Sequence, residues 1–568
     1  MSRVRTLEIK HFRSIQHLHW TPGSGINCLI GPGDSGKSSV LDAIDLCLGV
    51  KRSIQFGNAQ FRDSDFYRLD VSQPIQISLT IGALDDSLKS LDHYGLYLRG
   101  FHETTKELSD EPEVGAETVL TLRLTVNEDL EPIWSLYSDR AEAQGEAKSL
   151  HWADRVRLAS TRLGEPGDHH LSWKRGSLLH KLSDEKADIS ADLAKVAREA
   201  RKAFGDKAKP QVSETLMMVE TAAKSLGISV GEVSALLDSN SISFSGGTIC
   251  LHDGEGVPLR GLGLGSTRLL VAALQRQVAS RAGVVLLDEV EHGLEPHRIM
   301  RLIDSLGAKE KVPPLQVFMT THSPVALKEL KIEQLYVLRQ STTCHEARHV
   351  GIYDAQGTVR DCPEAFLAPS VIVCEGATEV GFLRGLDLHR QATQMSIAAN
   401  GVALTDGKGE NAYKRAIDLA SLGYRTLLLR DNDKAAKATD VAKFKALGGT
   451  VIQWRDEKAI EQEIFSSVSP AVVERLLSDA ICNKGEDSVS AMIKNHGSSL
   501  LECQNNLTDE GRKCLGLSAK KGGWFKTVSA MGAIAKAHIG PGLPTCEPGF
   551  KKLVETVFSW IDDGKKRN

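Results

Sequence analysis

The strongest constraint on the fold is a glycine-rich segment near the start of the chain. It follows a short apolar run at residues 25–30 and precedes a segment with helical spacing at residues 38–48. A strand, a loop of the pattern Gly-x-x-x-x-Gly-Lys-Ser and a helix form a phosphate-binding unit, in which backbone N–H groups turn toward phosphate oxygens. The sequence therefore predicts an α/β nucleotide-binding domain. The residues predicted to contact the nucleotide are Gly31, Gly33, Asp34, Ser35, Gly36, Lys37, Ser38 and Ser39.

Length and composition indicate a protein of several domains without a membrane-spanning segment. A chain of 568 residues is expected to form two to four domains. The net charge of −4 argues against a general attraction to DNA, so any DNA contact needs a local basic face. The ten cysteines include no Cys-x-x-Cys pair, which favours reduced thiols. The chain shows no signal-peptide core and no apolar stretch near the ~18–20 residues that cross a bilayer. We expect a cytoplasmic protein without a membrane partner.

Two later segments extend the nucleotide site. Val284–Leu287 is an apolar run followed by two acids, which predicts that Asp288 holds Mg²⁺ and that Glu289 polarises the attacking water. His322 follows the next apolar strand, where a histidine can touch the γ-phosphate. This order of motifs predicts a nucleotide hydrolase.

The set resembles the ATP-binding-cassette (ABC) ATPases, and among them the RecF-like group, which carries a Phe-Arg-Ser turn near its N-terminus, here residues 12–14. The resemblance implies a signature loop that caps the ATP of a second protomer, and therefore a homodimer or homotetramer. Residues 263–268 are the best match, with Gly265 and Ser266 as nucleotide contacts, although they depart from the usual Ser-Gly-Gly order. A glutamine contact is implied as well, and both Gln55 and Gln60 fit.

A second group of acids lies in the C-terminal half. Glu375 ends an apolar strand, and Glu379, four residues later, lies on the same face of the following helix. Asp431 and Asp433 end a second strand and point the same way out of the pleat. Four converging carboxylates repel each other unless a cation lies between them, and their oxygens suit Mg²⁺ or Mn²⁺. The pattern predicts a metal site.

This is the Toprim pattern, and an ABC-type ATPase followed by Toprim resembles the OLD (overcoming lysogenisation defect) nuclease family, including the nuclease subunit of Gabija antiphage systems. The resemblance implies an ATP-regulated DNA endonuclease with a two-metal site of Mg²⁺ or Mn²⁺, ATP bound with Mg²⁺, and a helicase-like partner. It also implies a further acidic ligand, Glu461, and a late lysine that stabilises transition-state charge. Lys526 fits that lysine best, with Lys521 in reserve.

The predicted fold class is α/β, in three parts. Residues 1–365 are assigned to a RecF-like ABC ATPase domain with an antiparallel β insertion at 75–140 and a helical dimerisation subdomain at about 176–237. Residues 366–470 are assigned to a Toprim α/β core. Residues 471–568 are assigned to a helical region that completes the nuclease site.

Alternative functions remain open at this point. Tyr413 and Tyr424 are more simply packing residues than nucleophiles, which favours hydrolysis over covalent strand transfer. An ATP-switched DNA-binding sensor with an inactive metal site is the main competitor from another class of protein. A DNA repair factor would share the same chemistry.

Overall fold

The computed structural model describes residues 2–49, 61–163, 195–196, 198–200, 203, 212–219, 251–256, 258–277, 283–341, 344–352, 355–392 and 394–564. Gln55, Gln60 and most of the predicted dimerisation subdomain lie outside these ranges. Packing divides the chain into two units, one formed by Met1–Cys28 with Ser38–Thr321 and the other by Leu29–Lys37 with His322–Asn568. The predicted boundary near residue 365 falls inside the second unit, and the proposed three-part division stays a prediction.

The first unit contains a large mixed sheet. Strands β6-β5-β7-β4-β1-β2 lie side by side and β8 pairs with β7, while β9, β10 and β11 run parallel. The antiparallel β insertion predicted at 75–140 is confirmed by the pairing of β4, β5, β7 and β8. The strands are β1 (Arg3–Phe12), β2 (Ile15–Trp20), β3 (Ile26–Ile30), β4 (Ile75–Gly82), β5 (Leu98–Phe101), β6 (Leu108–Ser109), β7 (Glu117–Val126), β8 (Pro132–Tyr137), β9 (Thr161–Leu163), β10 (Val284–Leu287) and β11 (Gln316–Thr320).

Helices and the parallel strands of this unit follow from local sequence. Every residue of β10 and β11 is buried, as expected for parallel strands covered on both faces. Pro296 begins a helix at the position where its missing N–H costs nothing. The helices are α1 (Lys37–Leu48), α2 (Leu91–Tyr94), α3 (Asp139–Ala143), α4 (Trp152–Leu158), α5 (Leu264–Gln277) and α6 (Pro296–Ser305).

The second unit has a four-stranded parallel sheet in the order β15-β14-β16-β17 and a separate antiparallel pair, β12 with β13. Because parallel strands present their carboxyl ends at one edge, the loops after β14, β15 and β16 meet there. The strands are β12 (Leu335–Gln340), β13 (His345–His349), β14 (Ser370–Cys374), β15 (Val402–Asp406), β16 (Arg425–Arg430) and β17 (Thr450–Gln453). The helices between them are α7 (Pro324–Glu329), α8 (Gln356–Asp361), α9 (Ala377–Arg390), α10 (Ala412–Ser421) and α11 (Ala438–Ala446).

The C-terminal part is helical, as predicted, and shares a core with the parallel sheet. Phe382 of α9 packs edge-on against Trp454, with ring centroids 5.6 Å apart, and contacts Phe550 near the end of the chain. These side chains belong to one buried cluster with the strand residues Ile372 and Leu427. The helices are α12 (Ile460–Ser467), α13 (Pro470–Lys484), α14 (Glu486–Lys494), α15 (Leu500–Asn505), α16 (Asp509–Gly522), α17 (Val528–Ile534), α18 (Gly540–Gly542) and α19 (Pro548–Asp563).

Two glycines set how closely α9 and α17 pack. A Cβ atom added at Gly381 would lie 2.6 Å from the carbonyl oxygen of Val528, and one at Gly385 would lie 2.4 Å from that of Gly532. Larger side chains at these positions would push the helices apart, because a Cβ cannot approach backbone oxygen so closely. The C-terminal helices are thereby docked on the helix that carries Glu379.

The fold class is therefore α/β with a large sheet and a helical C-terminal region. Within the described residues, no helix combines the length and the apolar character needed to cross a membrane.

Candidate nucleotide and metal sites

In the glycine-rich loop at residues 31–37, the side chain of Lys37 donates hydrogen bonds back to the loop's own backbone. Lys37 is 5% exposed, and its Nζ donates to the carbonyl oxygens of Gly31 and Pro32, at 3.2 and 2.6 Å. The same ammonium lies 3.4 Å from the Ser35 hydroxyl. Gly31 and Gly36 have φ values of 133° and 87°, a region open mainly to glycine. The Lys37 ammonium therefore lies among the backbone carbonyls of the loop. The loop leads directly into α1, and the N-terminus of a helix is a common binding site for anions such as phosphate.

The predicted Mg²⁺ ligands of the first unit lie together. The Asp288 Oδ1 atom accepts hydrogen bonds from the hydroxyls of Ser38, at 3.1 Å, and Thr320, at 2.6 Å. β10 and β11 are parallel neighbours, so Asp288 and the end of β11 meet at one edge of the sheet. A hydroxyl beside a carboxylate is an oxygen donor set that Mg²⁺ accepts. The sequence reasoning missed Thr320, whose position at the end of the strand beside the Asp288 strand could have identified it.

The backbone of Glu289 adopts an uncommon conformation. Its φ is 47°, in the left-handed region that non-glycine residues rarely occupy. The Glu289 N–H donates to the Thr320 hydroxyl at 2.8 Å, and Arg268 of α5 donates to the Glu289 carbonyl at 3.1 Å. Strained conformations persist where surrounding contacts hold them, and they cluster at functional positions. These two contacts fix the backbone of the predicted catalytic residue, while its carboxylate is exposed.

The predicted signature residues lie in the first turn of α5. Ser266 accepts a hydrogen bond from Arg298 of α6 at 3.1 Å. A Cβ atom at Gly265 would lie 2.8 Å from the carbonyl oxygen of Gly293, so only glycine permits this approach. The segment is therefore packed against the loop that follows Glu289. His322 is exposed and belongs to the second unit.

The acidic residues of the second unit converge through backbone hydrogen bonds. The Glu375 carboxylate accepts the N–H of Asp431 at 3.1 Å, and the Asp431 carboxylate accepts the N–H of Ile460 at 3.0 Å. Glu379 accepts the N–H of Gly376 at 2.9 Å from the first turn of α9. These bonds join the ends of β14 and β16 to the start of α12, where Glu461 lies.

Electrostatics show that these carboxylates lie within each other's fields. Burial, together with the charges of Glu375, Glu461 and Asp433, raises the pKa of Asp431 to about 7. Burial also raises the pKa of Glu379 well above its ordinary value, and Asp431 and Glu461 add to this. The contributions that these acids make to one another's pKa values indicate that the like charges lie close together.

Two lysines of the C-terminal part reach this cluster. Burial raises the pKa of Glu461, while Lys526 and Lys520 oppose that rise. The Lys520 Nζ atom lies 2.6 Å from the Asp433 Oδ2 atom, in an ion pair. The sequence reasoning named Lys526, with Lys521 in reserve, and missed Lys520. Nothing in the local sequence distinguishes Lys520 from Lys521, and only the packing of α16 selects it.

The donor chemistry of the cluster fits a divalent cation. Glu379 and Glu461 are 3% and 4% exposed, and buried carboxylates are rare without a charge partner or a metal. Carboxylate oxygens are the ligands that Mg²⁺ and Mn²⁺ prefer. Within the residues described here, no group of three or more His, Cys, Asp or Glu side chains has metal-holding geometry. The carboxylates therefore lie near one another, but they do not surround a single position where one ion could bind.

Comparisons with known proteins give partial matches. The chain is 23% identical over 364 residues to the OLD nuclease of Thermus scotoductus, covering 59% of this chain and 62% of that protein. It is 37% identical over 82 residues to structural maintenance of chromosomes protein 5 of Arabidopsis thaliana, covering 14% of this chain and 8% of that one. It is 42% identical over 55 residues to the DNA replication and repair protein RecF of Nitrosococcus oceani, covering 10% and 15%. The chain therefore spans less than two thirds of the length of each of these relatives.

Solved structures and a family model complete the comparison. A crystal structure of the SmcHead bound to the C-winged helix domain of ScpA matches with a TM-score of 0.35 and 14% identity, over 61% of this chain and 96% of that one. An Smc head domain with an extended coiled coil, with ScpA derived from Pyrococcus furiosus, gives 0.33 and 12% over the same shares. The model of an ATPase family matches residues 26–328, more than half of the chain. The chain belongs to the family described as "AAA domain, putative AbiEii toxin, Type IV TA system".

Proposed function

We propose that the chain is an ATP-regulated, divalent-metal-dependent DNA endonuclease of the OLD type, with a Toprim nuclease core and a role in antiphage defence. The observation that carries the proposal is that five acidic residues lie at the carboxyl edge of one parallel sheet or at the start of the adjoining helices, where hydrogen bonds link Glu375 to Asp431 and Asp431 to the start of α12. The five residues are Glu375, Glu379, Asp431, Asp433 and Glu461. The similarity to an OLD nuclease over 59% of the chain supports the class of enzyme.

In this proposal, Asp431, Asp433 and Glu375 hold Mg²⁺ or Mn²⁺, and Glu379 and Glu461 complete the site or a second ion. The ions supply a nucleophilic water and stabilise the leaving oxygen of the phosphodiester. The chain itself contributes positive charge: Lys526 stabilises the extra negative charge of the transition state. Because the overall charge is −4, DNA binding in this proposal relies on a local basic face.

The ATPase part regulates this reaction in the proposal. Lys37 binds the β- and γ-phosphates, while Ser38 and Asp288 hold Mg²⁺. Glu289 polarises the attacking water, and His322 contacts the γ-phosphate. Gly265 and Ser266 complete the site of a second protomer, so the active form is a homodimer or homotetramer. A strictly monomeric protein with full ATPase activity would contradict this composite site.

The test is plasmid cleavage by the purified chain with Mg²⁺ or Mn²⁺, with and without ATP. We expect nicked or linear DNA with metal and none with a chelator. Absence of cutting under every combination of metal and nucleotide would contradict the nuclease proposal.

A second function, an ATP-switched DNA-binding or DNA repair protein, is favoured by one specific observation. The described carboxylates lack metal-holding geometry, and Lys520 already pairs with Asp433. In this case DNA should bind in an ATP-dependent way, as measured by fluorescence anisotropy, while no metal produces cleavage.

A further inference from the structure

Three carboxylates of the first unit share one guanidinium group. Asp42 and Asp45 lie three residues apart on α1 and therefore on one face of the helix. Arg162 Nη1 lies 2.5 Å from Asp42 Oδ1 and 3.7 Å from Asp45 Oδ2, and its Nη2 lies 3.6 Å from Asp288 Oδ2. A single side chain thus joins the helix that carries Ser38 to the strand that ends at Asp288.

The position of Arg162 follows from strand pairing. β9 is the parallel neighbour of β10, with Arg162 opposite Leu286, two residues before Asp288. Burial alone would lower the pKa of Arg162, but its hydrogen bond to Asp42 and the charges of Asp42, Asp45 and Asp288 raise it, so the side chain stays a cation. Arginine suits this task because its planar fork can contact two carboxylates at once.

A second arginine holds the same helix from the turn between β1 and β2. Arg13 pairs with Asp42, and its Nε lies 2.9 Å from Asp65 Oδ1. The Ser160 hydroxyl donates to Asp45 at 2.8 Å, one turn along α1. Asp42 and Asp45 on α1 therefore both have partners outside the helix. Of these partners, Arg162 also lies close to Asp288.

We propose that Arg162 is a positioning residue of the ATPase site: it screens Asp288 and fixes α1, and with it Ser38, against β10. This inference rests on the proposed ATP-binding function. Before Mg²⁺ binds, the Asp288 carboxylate would repel the phosphates, and the Arg162 charge offsets that repulsion. Once Mg²⁺ is bound by Asp288 and Ser38, the ion itself supplies the charge, so less depends on Arg162.

The test compares affinity for a fluorescent ATP analogue in EDTA and in Mg²⁺, for the full chain and Arg162→Gln. We expect the substitution to weaken metal-free binding about tenfold and Mg²⁺-nucleotide binding less than about threefold, since one screened unit charge is removed. Equal weakening in both conditions, or no change in either, would overturn the role of Arg162. Failure of the unsubstituted chain to bind the analogue in either condition would instead overturn the ATP proposal.

Three further variants separate charge from folding. Arg162→Lys keeps the charge but loses the second terminal nitrogen that reaches Asp288, so metal-free binding should stay within about threefold while ATP turnover falls about tenfold. In the double variant Arg162→Gln/Asp288→Asn, the loss of metal-free affinity should disappear, because the screened charge is gone; persistence of the loss would overturn the proposal. Arg157→Gln is the matched control, since Arg157 pairs with Asp85 and Asp154 on the surface.

Discussion

The two carboxylate sites of this chain carry their negative charge in different ways. In the first unit, Asp288 accepts two hydroxyl hydrogen bonds and lies 3.6 Å from the guanidinium of Arg162. In the second unit, burial and neighbouring acids raise the pKa of Asp431 to about 7. Within the described part of the chain, two cations contact that cluster: Lys520 pairs with Asp433 at 2.6 Å and Arg430 with Glu375 at 3.6 Å.

The two sites therefore differ in the ligands that they need to offset their negative charge. The Asp288 site has its charge offset by protein groups, so its geometry depends on packing and on Arg162. The carboxylate cluster has more acids than nearby cations, and an excess of buried like charge is relieved by protons or by metal ions. We therefore expect the first site to respond chiefly to nucleotide and the second chiefly to divalent metal and pH.

The largest expected effect tests the cluster. Asp431→Ala removes a proposed metal ligand that also accepts the Ile460 N–H, so cleavage should fall about a thousandfold, because metal ions contribute several kcal/mol of stabilisation. ATP turnover should be unchanged. Plasmid cleavage and phosphate release measure the two activities. Asp456→Ala, at an exposed acid paired with Lys458, is the control. Undiminished cutting by Asp431→Ala would indicate a different active site or a contaminant.

The converse change tests the first unit. Glu289→Gln keeps the shape of the side chain but removes its charge, so ATP turnover should fall about a hundredfold or more while ATP stays bound. Lys37→Ala should abolish ATP binding itself. Filter binding and phosphate release distinguish the two. If Glu289→Gln hydrolyses ATP at the normal rate, the carboxylate has no part in activating water.

A third comparison separates two lysines of the same cluster. Lys526→Ala should reduce cleavage about a hundredfold with metal affinity nearly unchanged, since its proposed role is in the transition state. Lys520→Ala should change metal affinity instead, toward tighter binding, because Asp433 loses its ion-pair partner. Mn²⁺ titration calorimetry and cleavage rates give the two readouts, with Lys513→Ala, at an exposed lysine of α16 that pairs with Glu510, as the matched control. If the Lys520 and Lys526 variants show the same changes in metal affinity and cleavage rate, the two lysines do not have separate roles.

The smallest effect concerns stability and pH. Burial raises the pKa of Asp431 from 3.8 to about 7, so the folded chain binds this proton more tightly than the unfolded chain does. The resulting stabilisation is full below pH 4 and is lost as the pH rises through about 7. Asp431→Asn should therefore stabilise the metal-free protein at pH 8 by on the order of 2 kcal/mol, and less at pH 5.

Thermal melting in EDTA across this pH range measures the stability effect. Added Mn²⁺ should raise the melting temperature of the unsubstituted chain at pH 8 and have little effect on Asp431→Asn. If Asp431→Asn and the unsubstituted chain have the same melting temperature at every pH, the charge of Asp431 does not destabilise the folded protein.

Much of the fold followed from local patterns. The apolar runs before Asp288 and Glu375 became buried parallel strands because continuous β-rich runs suit sheets covered on both faces. The alternation at residues 75–81 and 118–124 became antiparallel pairs. The left-handed conformation of Glu289 was not predictable, since it depends on a contact with Thr320, which is distant in sequence.

The strand–glycine loop–helix unit, the acids at strand ends and the helical C-terminal region could be predicted from the sequence alone, because these features rest on periodicity and on the chemistry of consecutive residues. Which distant groups meet is known only from the folded chain. Glycines at 381 and 385 let α17 approach α9, and the packing of α16 brings Lys520, and not Lys521, to Asp433. Likewise, the pairing of β9 with β10 brings Arg162 to Asp288. Side-chain encounters of this kind are set by packing between elements far apart in the chain, which no local pattern encodes.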